Sequence, residues 1–201
     1  NNNTLYKSED RGLTWVSQLT ITSGYQINKI QFSDSFNGYY KMYDTNYGYD
    51  NTDIYKTING GQTWNKISKP STYISDMYFI DQNTGWACGP NEISETSDGG
   101  ISWQTVSLDF EGNNYSDGGN ISVFNNDLIW LTSGSNLYHA EKGKPWYGKF
   151  IDFNDGYTLQ SLEFTDAQTG WAIDVFISGD IVKTINGGKT WTEEDYPTSQ
   201  F

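Results

Sequence analysis

Apolar and polar residues alternate in short runs along this chain, and the alternation has a period of two. Residues 30–34 read Ile-Gln-Phe-Ser-Asp, residues 77–81 Met-Tyr-Phe-Ile-Asp and residues 162–166 Leu-Glu-Phe-Thr-Asp, with Ile-Ser-Val-Phe-Asn at 121–125 as a weaker copy. Each run predicts a strand with one buried face. A second strand opens a few residues later, at Gly38-Tyr39, Gly85-Trp86 and Gly170-Trp171, with Ile129-Trp130 in the same place in the third unit. A third strand follows, as in Ile-Tyr-Lys at 54–56 and Ile-Val-Lys at 181–183, and a fourth begins at a tryptophan. The pattern predicts four short strands per unit and an all-β chain.

Between the third and fourth strands one turn is written repeatedly. Its form is Ser/Thr-x-Asp/Asn-x-Gly-x-Thr/Ser-Trp. The near-complete copies carry Ser8, Asp10, Gly12 and Trp15; Thr57, Asn59, Gly61 and Trp64; Thr96, Asp98, Gly100 and Trp103; and Thr184, Asn186, Gly188 and Trp191. A fifth, ending at Trp146, has lost the Asp and Thr. The chemistry is that of a tight turn. The Asp or Asn and the hydroxyl accept from turn N–H groups. The Gly allows positive φ, and the Trp offers packing area to the next strand. The tryptophans are spaced by 49, 39, 43 and 45 residues, the period of a β-propeller blade, about 40–50 residues.

Full units are expected at about 25–69, 73–108, 120–150 and 158–196. Residues 1–20 hold only a third- and fourth-strand pair, at 4–7 and 13–16. The expectation is a β-propeller of about five blades, the first incomplete. It reads either as a single domain over 1–201 closing as a ring with one thin blade, or as a segment of a larger ring.

Composition narrows the function. Aromatic residues make up 16% of the 201 residues, with 21 Gly and only 4 Pro, which suits strands and turns rather than disorder. The net charge of −13 opposes nucleic acid as a partner. No apolar run reaches the roughly 20 residues of a membrane helix. The chain opens on Asn-Asn-Asn without an initiator Met, which reads as processing or trimming. Cys88 and His139 are each single, so an internal disulfide and a multi-histidine metal site are excluded. Cys88 reads as a small buried side chain and His139 as a surface or edge residue. All eight tryptophans fall in a turn or at a second-strand start, and each is expected to pack between blades.

The repeated turns resemble the Asp-box, or bacterial neuraminidase repeat. The longer pattern, Phe79-Ile-Asp81, Gly85-Trp-Ala87, Thr96-Ser-Asp-Gly-Gly100 and Trp103, is similar to the photosystem II assembly-factor-like propellers. Sortilin-type and xyloglucanase propellers share such repeats. The resemblance covers nearly the whole chain. It implies Asp-box turns on the outer rim, between strands three and four, with Asp10, Asn59, Asp98 and Asn186 in structural roles. It also implies that a sialidase would need three arginines for its substrate carboxylate, whereas this chain has Arg11 alone. The assembly factor's binding surface is arginine-rich, so the fold carries over and the photosystem role does not.

Asp34, Asp81 and Asp166 recur after the first strand. Recurrence argues for turn caps rather than a glycosidase pair, which requires two unlike carboxylates at a fixed separation. His139 has no nucleophile motif around it. No catalysis is therefore expected, with a carbohydrate-active enzyme, or a fragment of one, as the alternative.

The segment 40–53 departs most from the repeat. Its Tyr43, Asp44, Asn46, Tyr47, Tyr49, Asp50 and Asp53 combine rings with amide and carboxylate groups, which suits a glycan or a protein surface. Asp44, Asn46 and Asp50 also present spaced oxygens of the kind calcium takes, without the bidentate Glu of a full loop. No other cofactor is expected. Insertions at 109–120 and 148–157 read as a surface loop and an aromatic connector. The acidic, Asn-rich, Arg- and Cys-poor composition points to a secreted or cell-surface bacterial protein. The expected role is recognition or scaffolding, with a protein or glycan as partner.

Overall fold

The computed structural model describes residues 4–47, 51–71, 73–89, 92–106, 119–124, 128–133, 136–141, 147–150, 159–174 and 181–194. The described residues are all strand, turn or irregular, with no helix, and the strands form antiparallel sheets.

A two-stranded sheet pairs β1 (Thr4–Lys7) with β2 (Val16–Thr20). A four-stranded sheet follows in chain order: β3 (Tyr25–Phe32), β4 (Gly38–Asp44), β5 (Thr52–Thr57) and β6 (Asn65–Lys66). The next holds β7 (Asp76–Phe79), β8 (Gly85–Gly89), β9 (Glu92–Thr96) and β10 (Gln104–Val106). Two more contain β11 (Gly119–Phe124), β12 (Leu128–Ser133), β13 (Asn136–Glu141) and β14 (Tyr147–Phe150), then β15 (Leu159–Phe164), β16 (Gly170–Asp174), β17 (Ile181–Thr184) and β18 (Thr192–Glu193). Each is a meander, so the four-strand pattern read from the alternation is present in four sheets among the described residues.

The chain divides into two compact units. Asn1–Ile74, Phe79–Trp86 and Ser94–Thr105 form the first; Ser75–Tyr78, Ala87–Ile93 and Val106–Phe201 form the second. In the first, Phe79 is fully buried, with Tyr39 lying flat against it at 3.5 Å between ring centroids and Trp103 meeting it edge-on at 5.9 Å. Its ring also covers Gly85, where an added Cβ would have no room. The second unit repeats the device around Phe164, with Trp130 stacked at 3.8 Å and Trp191 edge-on at 6.1 Å. Each core combines a parallel ring with an edge-on one, and the edge-to-face contact is a favourable aromatic geometry.

Polar side chains bind successive first strands together. The Gln31 amide accepts from Phe79 N–H at 2.9 Å and donates to Phe79 C=O at 2.8 Å. In the second unit Asp76 accepts from Ile121 N–H, and Ser122 accepts from Phe164 N–H, both at 3.0 Å. These bonds satisfy backbone groups that burial would otherwise leave costly.

Three expectations are corrected. The fourth strands start one residue after the turn tryptophan, at Val16, Asn65, Gln104 and Thr192, because the indole folds back over its own turn; Trp15 Nε1 donates to Gly12 C=O at 3.1 Å. Trp15 itself is 61% exposed rather than packed, since its two-stranded sheet has no first-strand phenylalanine to meet it. His139 is not an edge residue. It lies on an interior strand, 5.1 Å from the Trp130 ring, and burial lowers its pKa against the opposing pull of Glu141. Cys88 is buried.

Candidate binding site

The repeated turns are closed by their own side chains. Thr57 Oγ1 accepts from Gly61 N–H at 3.0 Å, and Asn59 Oδ1 accepts from Thr63 N–H at 3.0 Å. Thr184 and Asn186 make the same bonds to Gly188 and Thr190. Asn59 and Asn186 also donate Nδ2 to the Thr63 and Thr190 hydroxyls; where Asp replaces Asn the direction reverses, and Asp10 accepts from Thr14 Oγ1 and Asp98 from Ser102 Oγ, both at 2.6 Å. The residue before the motif glycine is also left-handed. Gly60, Gly99 and Gly187 stand there in three turns and Arg11, at φ 61°, in the first. Sequence reading treated that position as free.

Asp10 and Asp98 are each held down to about pKa 2, chiefly by the hydroxyl bonds from Thr14 and Ser102. A carboxylate whose folded pKa lies below its unfolded value stabilises the fold above the unfolded pKa and loses that contribution as pH falls through the folded one. The window is therefore between about pH 4 and pH 2. Asp98→Asn, which copies Asn59 and Asn186, is expected to flatten the decline of Tm across that window while leaving Tm at neutral pH nearly unchanged. Thermal unfolding at stepped pH measures it.

Asp34, Asp81 and Asp166 each accept two backbone N–H bonds at 2.7–2.8 Å from the turn that follows. All three are exposed; the pKa of Asp34 is lowered chiefly by the Asn37 side-chain amide and then by these backbone bonds, and that of Asp166 by its backbone bonds.

The tyrosine-rich segment is less open than its composition suggests. Asp44 is buried, and its Oδ1 accepts from both the backbone N–H and the side-chain amide of Asn46. That amide presents a donor, not a second oxygen, to the carboxylate. Tyr43 donates to Gln26, and Asp53 is ion-paired to Lys66 at 2.6 Å and Lys69 at 3.2 Å. Burial works to raise the Asp53 pKa, and the two lysines outweigh it, so the net shift is downward. Asn46 and Tyr47 are exposed. Tyr49, Asp50, Trp146 and most of both insertions lie outside the described residues. Among the described residues no group of three His, Cys, Asp or Glu side chains is placed to hold a metal ion.

The surface that sequence reading missed lies at the start of the first unit. A cavity of about 460 Å³ opens there, with Leu5, Tyr6, Ile30, Phe32 and Trp64 as its apolar wall and Lys7, Glu9 and Asp34 at its rim. Phe32 is 43% exposed and Ile30 is 47% exposed. Their repeat counterparts Phe79 and Phe164 are 0% and 2% exposed, and Met77 and Leu162 are buried too. The local sequence is the same in each case. The difference is that Phe79 and Phe164 are roofed by a second-strand aromatic, and the β1–β2 sheet has no second strand among the described residues. Tyr6, in its wall, is exposed, as are Leu13, Trp15 and Val16 of the same sheet and its turn. An exposed apolar opening of this kind marks an interaction site.

No protein-family profile matches the chain. The fold is that of the β-propeller proteins, a class defined by its structural neighbours. YCF48 from Cyanidioschyzon merolae aligns over 95% of this chain and 66% of its own, with TM-score 0.66 and 18% identity. YCF48 bound to a D1 peptide aligns over 96% and 76%, with TM-score 0.60 and 17% identity. The GH74 xyloglucanase from Xanthomonas campestris aligns over 96% and 34%, with TM-score 0.67 and 13% identity. In sequence, the outer membrane usher protein HtrE of Escherichia coli K12 is 28% identical over 111 residues, 51% of this chain and 13% of that protein. The chain thus spans a small fraction of the usher and two thirds or less of the first YCF48 and the xyloglucanase. No helix among the described residues is long and apolar enough to cross a membrane.

Proposed function

We propose that this chain is a non-catalytic recognition module that binds a polypeptide through the open cleft beside β1 and β3. The observation that carries this reading is the exposure of Ile30 and Phe32 where Met77, Phe79, Leu162 and Phe164 are buried. A peptide-bound propeller among the structural neighbours is consistent with it. Four four-stranded blades and one thin blade, with Asp-box turns between the third and fourth strands, form the scaffold. The side-chain-closed turns support assigning the box residues to structure. The acidic composition favours a secreted or cell-surface location.

Tyr47 is the exposed ring of the tyrosine-rich segment and the place where a glycan would stack. Tyr47→Ala is expected to leave stability within about 0.5 kcal/mol, as exposed substitutions do, and to reduce retention on any glycan the chain binds. It should not affect a polypeptide held in the cleft.

The competing reading is a carbohydrate-active enzyme, favoured by the GH74 neighbour. One preparation decides between them. Incubation with plant and host glycans is expected to release no reducing ends, while the immobilised chain retains a polypeptide partner that the Ile30→Ser, Phe32→Ser double variant loses. Glycan turnover would overturn the recognition reading.

A further inference from the structure

The repeats in this chain are a template for what the cleft accepts. In the β3–β6 sheet, Tyr39, the second residue of β4, lies directly opposite Lys56 of β5. Its ring lies between two groups: Phe79 stacks on one side at 3.5 Å and 4°, and the Lys56 ammonium stands 5.3 Å from the ring centroid. The Tyr39 hydroxyl donates to Gln82 C=O at 3.0 Å, and Lys56 Nζ donates to the same carbonyl at 2.7 Å. The β15–β18 sheet repeats the pairing, with Trp171 opposite Lys183 and the ammonium 5.3 Å from its ring.

The same parts stand around the cleft, without the ring between them. Lys7 precedes Ser8 as Lys56 precedes Thr57 and Lys183 precedes Thr184. Phe32 holds the place of Phe79, and Ser35, after Asp34, holds the place of Gln82 after Asp81. Lys7, Phe32 and Ser35 all line the one cavity. Among the described residues β1 pairs only with β2, so its other edge presents a ladder open to a further strand.

We propose that a partner polypeptide adds a strand antiparallel to β1 and seats an aromatic side chain, opposite Lys7, flat on Phe32. This rests on the recognition reading above and names its partner. Stacking on Phe32 supplies apolar burial and ring geometry, and Lys7 supplies a cation to the ring. Tyrosine fits best, because its hydroxyl reaches the Ser35 carbonyl as that of Tyr39 reaches Gln82. In the internal copies a glycine precedes the aromatic, Gly38 before Tyr39 and Gly170 before Trp171, and the test peptide keeps it. Charge selects the flanks. Glu9 is paired with Lys7 at 3.0 Å, which leaves the Asp34 carboxylate and the net charge of −13 to favour a basic segment.

The test uses the full chain and a synthetic peptide, Lys-Thr-Gly-Tyr-Val-Lys-Val-Lys, in calorimetric titration. Replacing its Tyr by Ala is expected to weaken binding at least about 10-fold, from lost burial and stacking. Lys7→Gln in the protein should weaken it about 2- to 5-fold, the size of a cation–ring contact. Phe32→Ala should match the loss from the peptide's Tyr→Ala, and the two together should cost little more than either alone. Because the peptide substitution leaves the protein untouched, the result stands even if Phe32→Ala perturbs folding. Equal binding of the Tyr and Ala peptides overturns the proposal. So does a concentration-dependent dimer that Phe32→Ala abolishes, which would assign the cleft to a second copy of this chain. If the peptide does not bind but a polypeptide partner is still retained through Ile30 and Phe32, strand addition is wrong and the recognition reading survives. If nothing is retained, both fail.

Discussion

Phe79→Ala is expected to lower the stability of the chain by about 3–5 kcal/mol, the usual cost of truncating a fully buried phenylalanine. Phe79 is completely enclosed. Its ring is the floor under Tyr39, the wall beside Trp103 and the cover over Gly85. Removing it strands three neighbours at once, and the backbone bonds from Gln31 keep the strand from collapsing into the void. The same substitution at Phe32, which has an open face, is expected to cost about 1–2 kcal/mol, because less area leaves contact and solvent already reaches the site. Urea unfolding of the two variants measures both. The size of the gap between them is the informative quantity, since the two residues share sequence context and turn.

Gly100→Val is expected to be comparably damaging, at about 2–4 kcal/mol. Gly100 has φ +86°, a conformation that costs an ordinary L-residue about 1–2 kcal/mol and a β-branched one more. A Cβ there would also collide with Ile67 Cδ1, and overpacking adds about 1–3 kcal/mol. The turn cannot relax around it, because Gly100 N–H is bonded to Thr96 Oγ1 at 2.9 Å and Asp98 holds Ile101 and Ser102. Circular dichroism should show a lower Tm with the β-sheet spectrum retained at low temperature.

Strands and turns were legible in the sequence because both have local causes. The Ile-x-Phe-x-Asp alternation, the Gly-aromatic start and the Asp-box spacing each encode their own geometry within a few residues. What the sequence hid depends on neighbours. Residues 30–34 and 77–81 read alike, yet only the first run is left uncovered, and that follows from a sheet two strands wide rather than from anything in the run. Trp15 is exposed for the same reason. The tyrosine-rich segment is likewise shaped by residues outside it. Its composition reads as a ligand loop, but Lys66 and Lys69, from beyond the segment, engage Asp53, and Asp44 closes its own turn. One signal was available: Lys7 stands at the same distance from its turn as Lys56 and Lys183, in a unit with no aromatic to serve.

The central claim is that the first-strand phenylalanine of the opening repeat is an uncovered copy of a buried residue. Hydroxyl-radical footprinting of the free chain, read residue by residue by mass spectrometry, tests it directly. Phe32 and Trp15 are expected to react rapidly, and Phe79, Phe164 and Trp130 slowly. A Phe32 as protected as Phe79 would contradict the account.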